Sequence, residues 1–190
     1  MAHSDENRLI RRIRDGDGAA FKELVQRHET RVASTVYHML GRCPEAEDVG
    51  QETFIRFYQS LNTFRGDSSV ATYLTRIAMN LSLNELKRRR RRNRIFPHSL
   101  DSGVDLAQEG DAFENQETRE LLQRALSSLE SEFRAVLVLR LVDGYSTRET
   151  AEILGIPEGT VLSRLARAQK KLLHVVRRMN GTLQQHKIME

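Results

Sequence analysis

The chain has 190 residues, and its 30 Lys and Arg against 26 Asp and Glu give a formal net charge of +4. This length suggests one or two small domains. With no Trp, few aromatic residues, one Cys and six scattered His, the composition argues against broad aromatic stacking platforms, an intramolecular disulfide and a structural zinc site.

The sequence also argues against a membrane or secreted protein. No apolar run approaches the ~20 residues that cross a bilayer. The acidic start, with Asp5 and Glu6, lacks the basic and then apolar pattern of a signal peptide. The lone Cys43 suits a reducing compartment. We therefore expect a cytoplasmic protein that needs no metal or other cofactor.

The charge is unevenly distributed along the chain. Residues 1–94 hold 18 Lys and Arg against 12 Asp and Glu, residues 95–120 hold 1 against 7, and residues 121–190 hold 11 against 7. Two basic parts separated by an acidic segment suit two contacts with a polyanion. The alternative is chance clustering of charge on solvated faces.

The first two predicted helices are amphipathic. Leu9, Ile10 and Ile13 predict a short helix that ends at residues 15–18, and a longer helix follows from residue 19 to about residue 40. We interpret His28, on its apolar stripe, as a packed core histidine rather than a ligand. That stripe comprises Phe21, Leu24, Val25, His28, Val32, Val36 and Met39.

Pro44 opens a third predicted helix, which runs to about Leu61. Asp48, Gln51 and Glu52 share one polar face of this helix because they are three and four residues apart. No third ligand or His accompanies them, so the sequence predicts an exposed acidic patch, either idle surface or a docking site for a basic partner. The predicted core residues are Val49, Phe54, Phe57, Tyr58 and Leu61.

Residues 62–69 form a predicted loop that holds Phe64 and Arg65, and a fourth helix follows from about Val70 to Arg92. Leu74, Ile77, Ala78 and Leu81 form its apolar stripe. A second face offers an aromatic ring, amides and cations, which can stack bases, bond their edges and hold phosphates. The run of six cations at residues 87–92 favours a grip on a phosphate backbone over a merely solvated segment. This face comprises Tyr73, Arg76, Asn80, Asn84, Lys87 and Arg91.

Residues 95–114 lack sustained periodicity and are rich in acids, which predicts a flexible linker. Helical pattern then resumes and ends at Asp143 and Gly144. The predicted domains are therefore residues 1–94 and 115–190, joined by the linker. The core residues predicted for the second domain are Leu121, Leu122, Ala125, Leu126, Leu129, Phe133, Val136, Leu137 and Leu141.

Residues 146–173 predict a helix-turn-helix. Ser146 and Glu149 have the spacing of a capping box, which marks the start of a helix. Ala151 allows a close helix crossing, Gly155 suits a turn with positive φ, and Pro157 suits the first turn of a second helix.

The second helix of this motif has two chemically different faces. Val161, Leu165, Ala168, Leu172 and Val176 form an apolar face. The opposite face offers hydroxyls and cations, as a helix in a DNA major groove requires, although an ordinary amphipathic surface helix remains the alternative. The polar side chains are Thr160, Ser163, Arg167 and Lys170.

Two separate stretches, residues 48–89 and 146–173, resemble the bacterial sigma factors of the extracytoplasmic function (ECF) group, within the sigma-70 family. The resemblance implies an all-α protein with two small helical domains, a flexible linker and a final helix-turn-helix. It also implies a transcription initiation factor, not an enzyme, whose partners are core RNA polymerase and promoter DNA and which takes no small-molecule substrate.

The resemblance further implies roles for individual residues. In the family, the patch that matches Asp48, Gln51 and Glu52 docks on the clamp helices of the polymerase β′ subunit, and the β subunit is a further expected partner. The loop at residues 64–69 and the helix after it open the minus-ten element, and the last helix reads the minus-thirty-five element. The expected minus-ten residues are Phe64, Arg65, Tyr73, Arg76, Asn80, Asn84, Lys87, Arg88 and Arg91, and the expected minus-thirty-five residues are Thr160, Ser163, Arg164, Arg167 and Lys170.

Two positions depart from the family pattern. Leu162 and Gln169 stand where members often carry arginine, so some phosphate or base contacts are in doubt, and Leu162 offers a contact to a thymine methyl group. Members are commonly held inactive by an anti-sigma factor, often anchored in the membrane. We therefore expect such a partner, and a partner that carries a membrane anchor would hold this chain at the inner membrane.

Three other functional classes fit less well. A stand-alone helix-turn-helix repressor or activator accounts for residues 146–173 but not for the acidic patch or the Asn80 face. A nucleic-acid enzyme needs converging carboxylates or a nucleophile, and the sequence presents no such set. A pure interaction protein leaves both basic surfaces unexplained.

Overall fold

The computed structural model describes the backbone of residues 2–95 and 113–188 and the side chains of residues 5–95 and 118–178. Within these ranges every regular element is helical and no strand occurs. The chain divides into two compact helical units, the first at residues 2–95 and the second at residues 113–188. The predicted all-α class with two helical domains is confirmed, whereas most of the predicted flexible linker lies outside the described residues.

Four α-helices make up the first unit. They are α1 (Ala2–Arg14), α2 (Gly18–Leu40), α3 (Pro44–Ser60) and α4 (Val70–Ile95). A single 3₁₀ turn, Leu61–Thr63, follows α3. These bounds confirm the four predicted helices, and α4 continues beyond its predicted end at Arg92.

Local sequence explains the junction between α1 and α2. Gly16 adopts a φ of +90°, which reverses the chain at no steric cost. Asp17 then caps α2, because its Oδ1 accepts a hydrogen bond of 3.0 Å from the backbone N–H of Ala20. This bond and the neighbouring Arg12 guanidinium lower the pKa of Asp17.

The core of the first unit forms where all four helices bury an apolar face. His28 is buried among these residues, as predicted, and its Nε2 lies 3.3 Å from Glu6 Oε1. Burial lowers the pKa of His28, and the Glu6 carboxylate opposes that shift. The largest fully buried side chains are Phe57, Leu24, Met39, Leu74, Met79, Val32, Val36 and Val70.

The second unit also contains four α-helices, with a π-helical turn after the second of them. The helices are α5 (Phe113–Ser127), α6 (Ser131–Leu137), α7 (Thr147–Leu154) and α8 (Glu158–Ile188), and the π turn is Val138–Val142. Its core joins Leu126, Leu129 and Leu137 to Ala168 of α8. The helices before α7 therefore supply the platform on which the helix-turn-helix rests, as the sequence predicts.

Three residues predicted to lie in the core are exposed, and Leu122 is the least exposed of them at 38%. Leu141 is 56% exposed because the π turn widens the helix, buries Val138 and Leu139 and rotates Leu141 to the surface. Tyr58 is 51% exposed, although its ring contacts Phe21 edge-on at 5.0 Å between centroids.

The cap of α7 generates a stability prediction. Ser146 Oγ accepts from the Glu149 backbone N–H at 3.2 Å, and Glu149 Oε2 accepts from the Ser146 backbone N–H at 2.8 Å. Ser146→Ala should lower the free energy of unfolding of the second unit by about 1 kcal/mol. Native-state hydrogen exchange of the α7 amides in the intact chain measures this loss.

The cap should also depend on pH. Hydrogen bonds from Ser146 lower the pKa of Glu149. The Glu149 carboxylate therefore contributes its full share of stability above the ordinary pKa of a glutamate side chain. This contribution is lost as the pH falls through the lowered pKa of the folded protein. Ser163→Ala is the control for Ser146→Ala, since this hydroxyl lies within α8 and donates to the Thr160 carbonyl of the same helix. Equal protection in both variants at neutral pH would contradict the assignment.

Candidate protein and nucleic-acid interfaces

The acidic patch on α3 is exposed, as predicted. Asp48 and Gln51 lie on the surface, while Glu52 is half-buried and accepts a hydrogen bond of 2.7 Å from Arg56 Nε. Ile55, one turn beyond Gln51 and Glu52, is also half-exposed. The face therefore combines two carboxylates with an apolar side chain, a combination that suits a protein partner carrying cations.

The polar face of α4 is the second candidate surface. Asn80, Asn84, Lys87 and Arg91 are all exposed. Leu74, Ala78, Met79, Ser82 and Glu85 are buried on the opposite side of the same helix. Because one side of α4 is buried, the side chains on the other side must face outward. Those outward side chains are two amides followed along the helix by two cations.

The six-cation run is not uniform. Arg88 and Arg89 both bond the buried Glu85, at 2.7 Å from Arg88 Nε and 3.2 Å from Arg89 Nε. Arg89 also donates to the Leu40 carbonyl at 3.3 Å and to Glu45 Oε2 at 3.2 Å, so it ties α4 to the junction between α2 and α3. Sequence reasoning missed this structural role because a cation run does not reveal distant partners.

Glu45 and Cys43 complete this cluster at the start of α3. Arg89 Nη2 lies 2.8 Å from Cys43 Sγ. The pKa of Glu45 is lowered, first by a hydrogen bond from its own backbone N–H and then by the charge of Arg89. Lys87 and Arg91 stay exposed beside these paired arginines, so they and the two asparagines form the accessible part of the face.

Phe64 does not occupy the surface position expected of a DNA contact. Its side chain is only 9% exposed, and its ring packs edge-on against Phe57 at 6.1 Å and Tyr73 at 5.1 Å between centroids. The loop therefore turns this ring inward because three aromatic rings form one apolar cluster. Arg65, the next residue, is exposed.

Tyr73 and Arg76 begin the α4 track but are only half-exposed. The Tyr73 ring also contacts Phe57, at 6.0 Å between centroids. Arg76 has its Nε buried with no hydrogen-bond acceptor within reach. The predicted track is therefore continuous along the helix, and its accessibility increases from Tyr73 towards Arg91.

The helix-turn-helix forms as predicted. Ser146 and Glu149 make the complete capping box of α7, and Gly155 ends the helix in the left-handed region at φ +65°. Ala151 packs with Val136 and Val161, which brings α8 close to α7. The small side chain at residue 151 is what permits this close approach.

The face of α8 away from this core carries the predicted polar residues. Ser163, Arg167 and Lys170 are exposed, and Thr160 is half-buried. Arg164 lies at the edge of this face, where Nη2 forms an ion pair of 2.9 Å with Glu132 of α6. Leu162 is 55% exposed, so its side chain is available for an apolar contact.

Within the described residues, no group of three or more His, Cys, Asp and Glu side chains is arranged to hold a metal ion. In that same part of the chain, no helix combines the length and apolar character of a transmembrane span.

Two protein-family models match the chain. Residues 24–92 match the model of sigma-70 region 2, and residues 119–172 match that of sigma-70 region 4. The first range includes the acidic patch and the α4 face, and the second includes the helix-turn-helix.

Full-length relatives match across both units. The chain is 37% identical over 175 residues to the ECF RNA polymerase sigma-E factor of Salmonella typhimurium. This match covers 86% of this chain and 90% of the relative. The ECF RNA polymerase sigma-E factor of Escherichia coli K12 matches to the same extent. The RNA polymerase sigma-H factor of Pseudomonas aeruginosa is 31% identical over 185 residues, which covers 90% of this chain and 94% of that one.

Solved structures share the fold. CnrH, solved in complex with the cytosolic domain of CnrY, superposes with a TM-score of 0.66 at 26% identity, covering 90% of this chain and 96% of CnrH. The sigma factor RpoE of Bartonella quintana, solved with the anti-sigma factor NepR, has a TM-score of 0.68 at 22% identity, covering 83% of this chain and 96% of RpoE.

Matches to regions 2 and 4 thus follow one another along this chain, and the sigma factors named above match it over most of their length. The protein belongs to the ECF group of the sigma-70 family and is a transcription initiation factor that directs RNA polymerase to promoters.

Proposed function

We propose that this sigma factor divides its work among three surfaces. The acidic patch on α3 holds core RNA polymerase, the loop after α3 and the exposed face of α4 open the minus-ten element, and α8 reads the minus-thirty-five element. The observation that carries this proposal is that α3 and α4 bury one face in a common core and expose faces of opposite charge. One unit can therefore hold a basic protein surface and a polyanion without mixing the two contacts.

The division of work implies domain limits. Residues 1–94 are the polymerase and minus-ten domain, residues 95–114 a linker, and residues 115–190 the minus-thirty-five domain. We propose that the chain catalyses no covalent reaction of its own and needs no metal or cofactor. It acts by placing core polymerase on DNA and by stabilising the opened strand.

On the polymerase side, Asp48, Gln51 and Glu52 are proposed to dock on the coiled-coil clamp helices of β′. Glu52 is already oriented by Arg56, so less conformational entropy is lost when a partner cation binds it. A further contact to the β subunit is proposed for the bound factor.

On the DNA side, the proposed minus-ten contacts are of two kinds. Lys87 and Arg91 hold phosphates, while Asn80 and Asn84 bond the exposed edges of unpaired bases. Arg65 is exposed on the loop that precedes α4. Phe64 and Tyr73 support the loop through the aromatic cluster, and the paired Arg88 adds positive charge at the edge of the track.

The proposed minus-thirty-five contacts lie on α8. Arg167 is the best candidate for bidentate recognition of guanine, because it is exposed and stands between Ser163 and Lys170 on the polar face. Arg164 is held by Glu132, so we assign it a phosphate contact at the edge of the site. Leu162 replaces a cation with an apolar side chain that can meet a thymine methyl group. The comparisons do not favour the alternative of a stand-alone repressor or activator.

We extend the proposal to regulation by an anti-sigma factor. CnrH, which is 26% identical, was solved with the cytosolic domain of CnrY, and this supports a comparable partner here. The factor would act in the cytoplasm and be held at the inner membrane when the partner carries a membrane anchor.

Replacing Asp48 and Glu52 together with Ala tests the polymerase contact. The partner's cations would be left without their anions, so affinity for core polymerase should fall about tenfold or more. Stability should change by no more than ~0.5 kcal/mol, because Asp48 is exposed and Glu52 makes only a surface ion pair with Arg56. A fluorescence titration against core enzyme, with circular dichroism for folding, measures both quantities.

A matched control for this double variant is available on α2. Glu23 forms a similar exposed pair with Arg27, four residues away, and Glu29 is exposed nearby. Glu23→Ala with Glu29→Ala removes the same charge and should leave core affinity unchanged. Wild-type affinity in the α3 variant, or equal loss in both variants, would return the patch to idle surface.

Arg167→Ala tests the reading of the minus-thirty-five element. If Arg167 bonds guanine, the variant should lose about 1–3 kcal/mol of discrimination between the preferred site and a site altered at that base pair. Competition binding by the holoenzyme to promoter variants measures this difference. Arg177→Ala, an exposed cation further along α8, is the control.

The pattern of loss identifies the kind of contact. A phosphate contact alone would weaken binding uniformly across sequences and lower the salt slope by about one. If Arg167→Ala discriminated between the preferred and the altered site as well as wild type does, Arg167 would have no role in base recognition.

Affinity capture from the native host tests the regulatory proposal. When the genes that this factor controls are not expressed, the tagged factor should be recovered with a small protein bound at a one-to-one ratio. This protein should be released when expression of those genes is induced. Recovery of core polymerase alone under both conditions would contradict it.

A further inference from the structure

Arg14, the last residue of α1, reaches across the first unit to the start of the loop after α3. Its Nε and Nη2 donate to the Leu61 carbonyl at 3.1 Å and 2.8 Å, and Nη2 also donates to the Phe64 carbonyl at 2.6 Å. One guanidinium thus holds the backbone carbonyls of the first residue of the 3₁₀ turn and of the residue that follows the turn.

These bonds matter because they add charged hydrogen bonds to a loop that is otherwise held at this point by the packing of the Phe64 ring against Phe57 and Tyr73. The Phe64 backbone N–H bonds the Ser60 and Leu61 carbonyls at 3.0 Å and 3.3 Å, which closes the turn itself but joins it to nothing beyond α3. A charged donor makes stronger hydrogen bonds than a neutral one, and the planar fork of arginine offers two acceptors a fixed geometry that the flexible lysine side chain lacks.

The position of Arg14 is itself fixed. Ile10 and Ile13 bury α1 in the core, and the Gly16 backbone N–H bonds the Ile13 carbonyl at 3.0 Å. Arg12 also bonds the capping Asp17 at 2.7 Å, so the end of α1 is tied to the start of α2. Arg14 therefore extends from a rigid base.

A cavity of about 290 Å³ opens between α1 and the same loop. Glu6, Asn7 and Ile10 contribute one wall, and Gly66, Ser68 and Ser69 contribute another. The shape of this opening depends on the distance between α1 and the loop, and the Arg14 bonds set that distance at the beginning of the loop.

We propose that Arg14 is a positioning residue for promoter opening. It holds the loop at residues 64–69 in the conformation that receives the opened strand, and it does so without touching DNA. This inference rests on the function proposed above for that loop. Loss of Arg14 should therefore impair DNA opening while leaving the distant polymerase contact on α3 intact.

Hydrogen exchange in the intact free protein tests the brace directly. In Arg14→Gln the loop amides at residues 61–66 should exchange about tenfold faster, since charge-assisted bonds are lost, while the amides of α2 and of the middle of α4 stay protected. Arg14→Lys should lie between this variant and wild type. Arg11→Gln removes an exposed cation from the same helix and should change nothing.

Promoter opening by the holoenzyme provides the functional readout. With a fluorescent base analogue in the minus-ten element, Arg14→Gln should open duplex DNA about tenfold less well, with unchanged affinity for core polymerase. On a pre-melted template its transcription should approach that of wild type, because the opening step has been removed.

Several outcomes would overturn the inference: wild-type exchange in the loop of Arg14→Gln, wild-type opening, the same defect in Arg11→Gln, or an equal loss of core affinity. A failure of the function proposed for the loop can be told apart from a failure of the role proposed for Arg14. If Arg65→Ala with Asn80→Ala left opening unaffected, the role proposed for the loop would fail, whereas the exchange result would still report whether Arg14 braces it.

Discussion

The first unit depends on the burial of one side of α4. Leu74, Ala78 and Met79 pack into the core, and the same side carries Glu85, a buried carboxylate. A buried charge is costly unless it is paired, and Arg88 and Arg89 supply that pairing. The cation run is thus divided: Arg89 is half-buried and anchors the helix, whereas Lys87, Arg88, Arg90 and Arg91 are exposed.

This division links stability to function along a single helix. Arg89 ties α4 to the Leu40 carbonyl and to Glu45, so the start of α3 and the basic end of α4 are held together. Because the helix cannot rotate without burying an unpaired charge, Asn80 and Asn84 keep their outward direction. The second unit differs, because α8 packs on an apolar core, and its Arg164 and Lys171 form ion pairs with Glu132 of α6 and with Glu130, the residue before α6.

Patterns local in sequence were predictable from the chain alone. The capping box at Ser146 and Glu149, the turn at Gly155 and the apolar face of α8 depend on spacings of three and four residues, and the structure confirms all three. The exposure of Asp48 and Gln51 follows from the same periodicity. The burial of His28 also followed from its place on an apolar stripe.

Features that depend on distant partners were not predictable. Nothing near Phe64 indicates that Phe57 and Tyr73 would draw its ring inward, and nothing near Arg14 or Arg89 indicates carbonyl acceptors more than forty residues away. Leu141 was misplaced for a related reason: its spacing fits an α-helix, but the π turn changes the number of residues per turn. Periodicity predicts which face is buried only while the helix type is constant.

The most direct test of the account is run-off transcription with purified core RNA polymerase on a promoter library. The account predicts that core enzyme alone is silent on these duplex templates and that this protein directs specific transcripts from a subset sharing minus-ten and minus-thirty-five elements. The opposite result, in which the protein occupies duplex sites without polymerase and yields no transcript with it, would contradict the assignment of its surfaces.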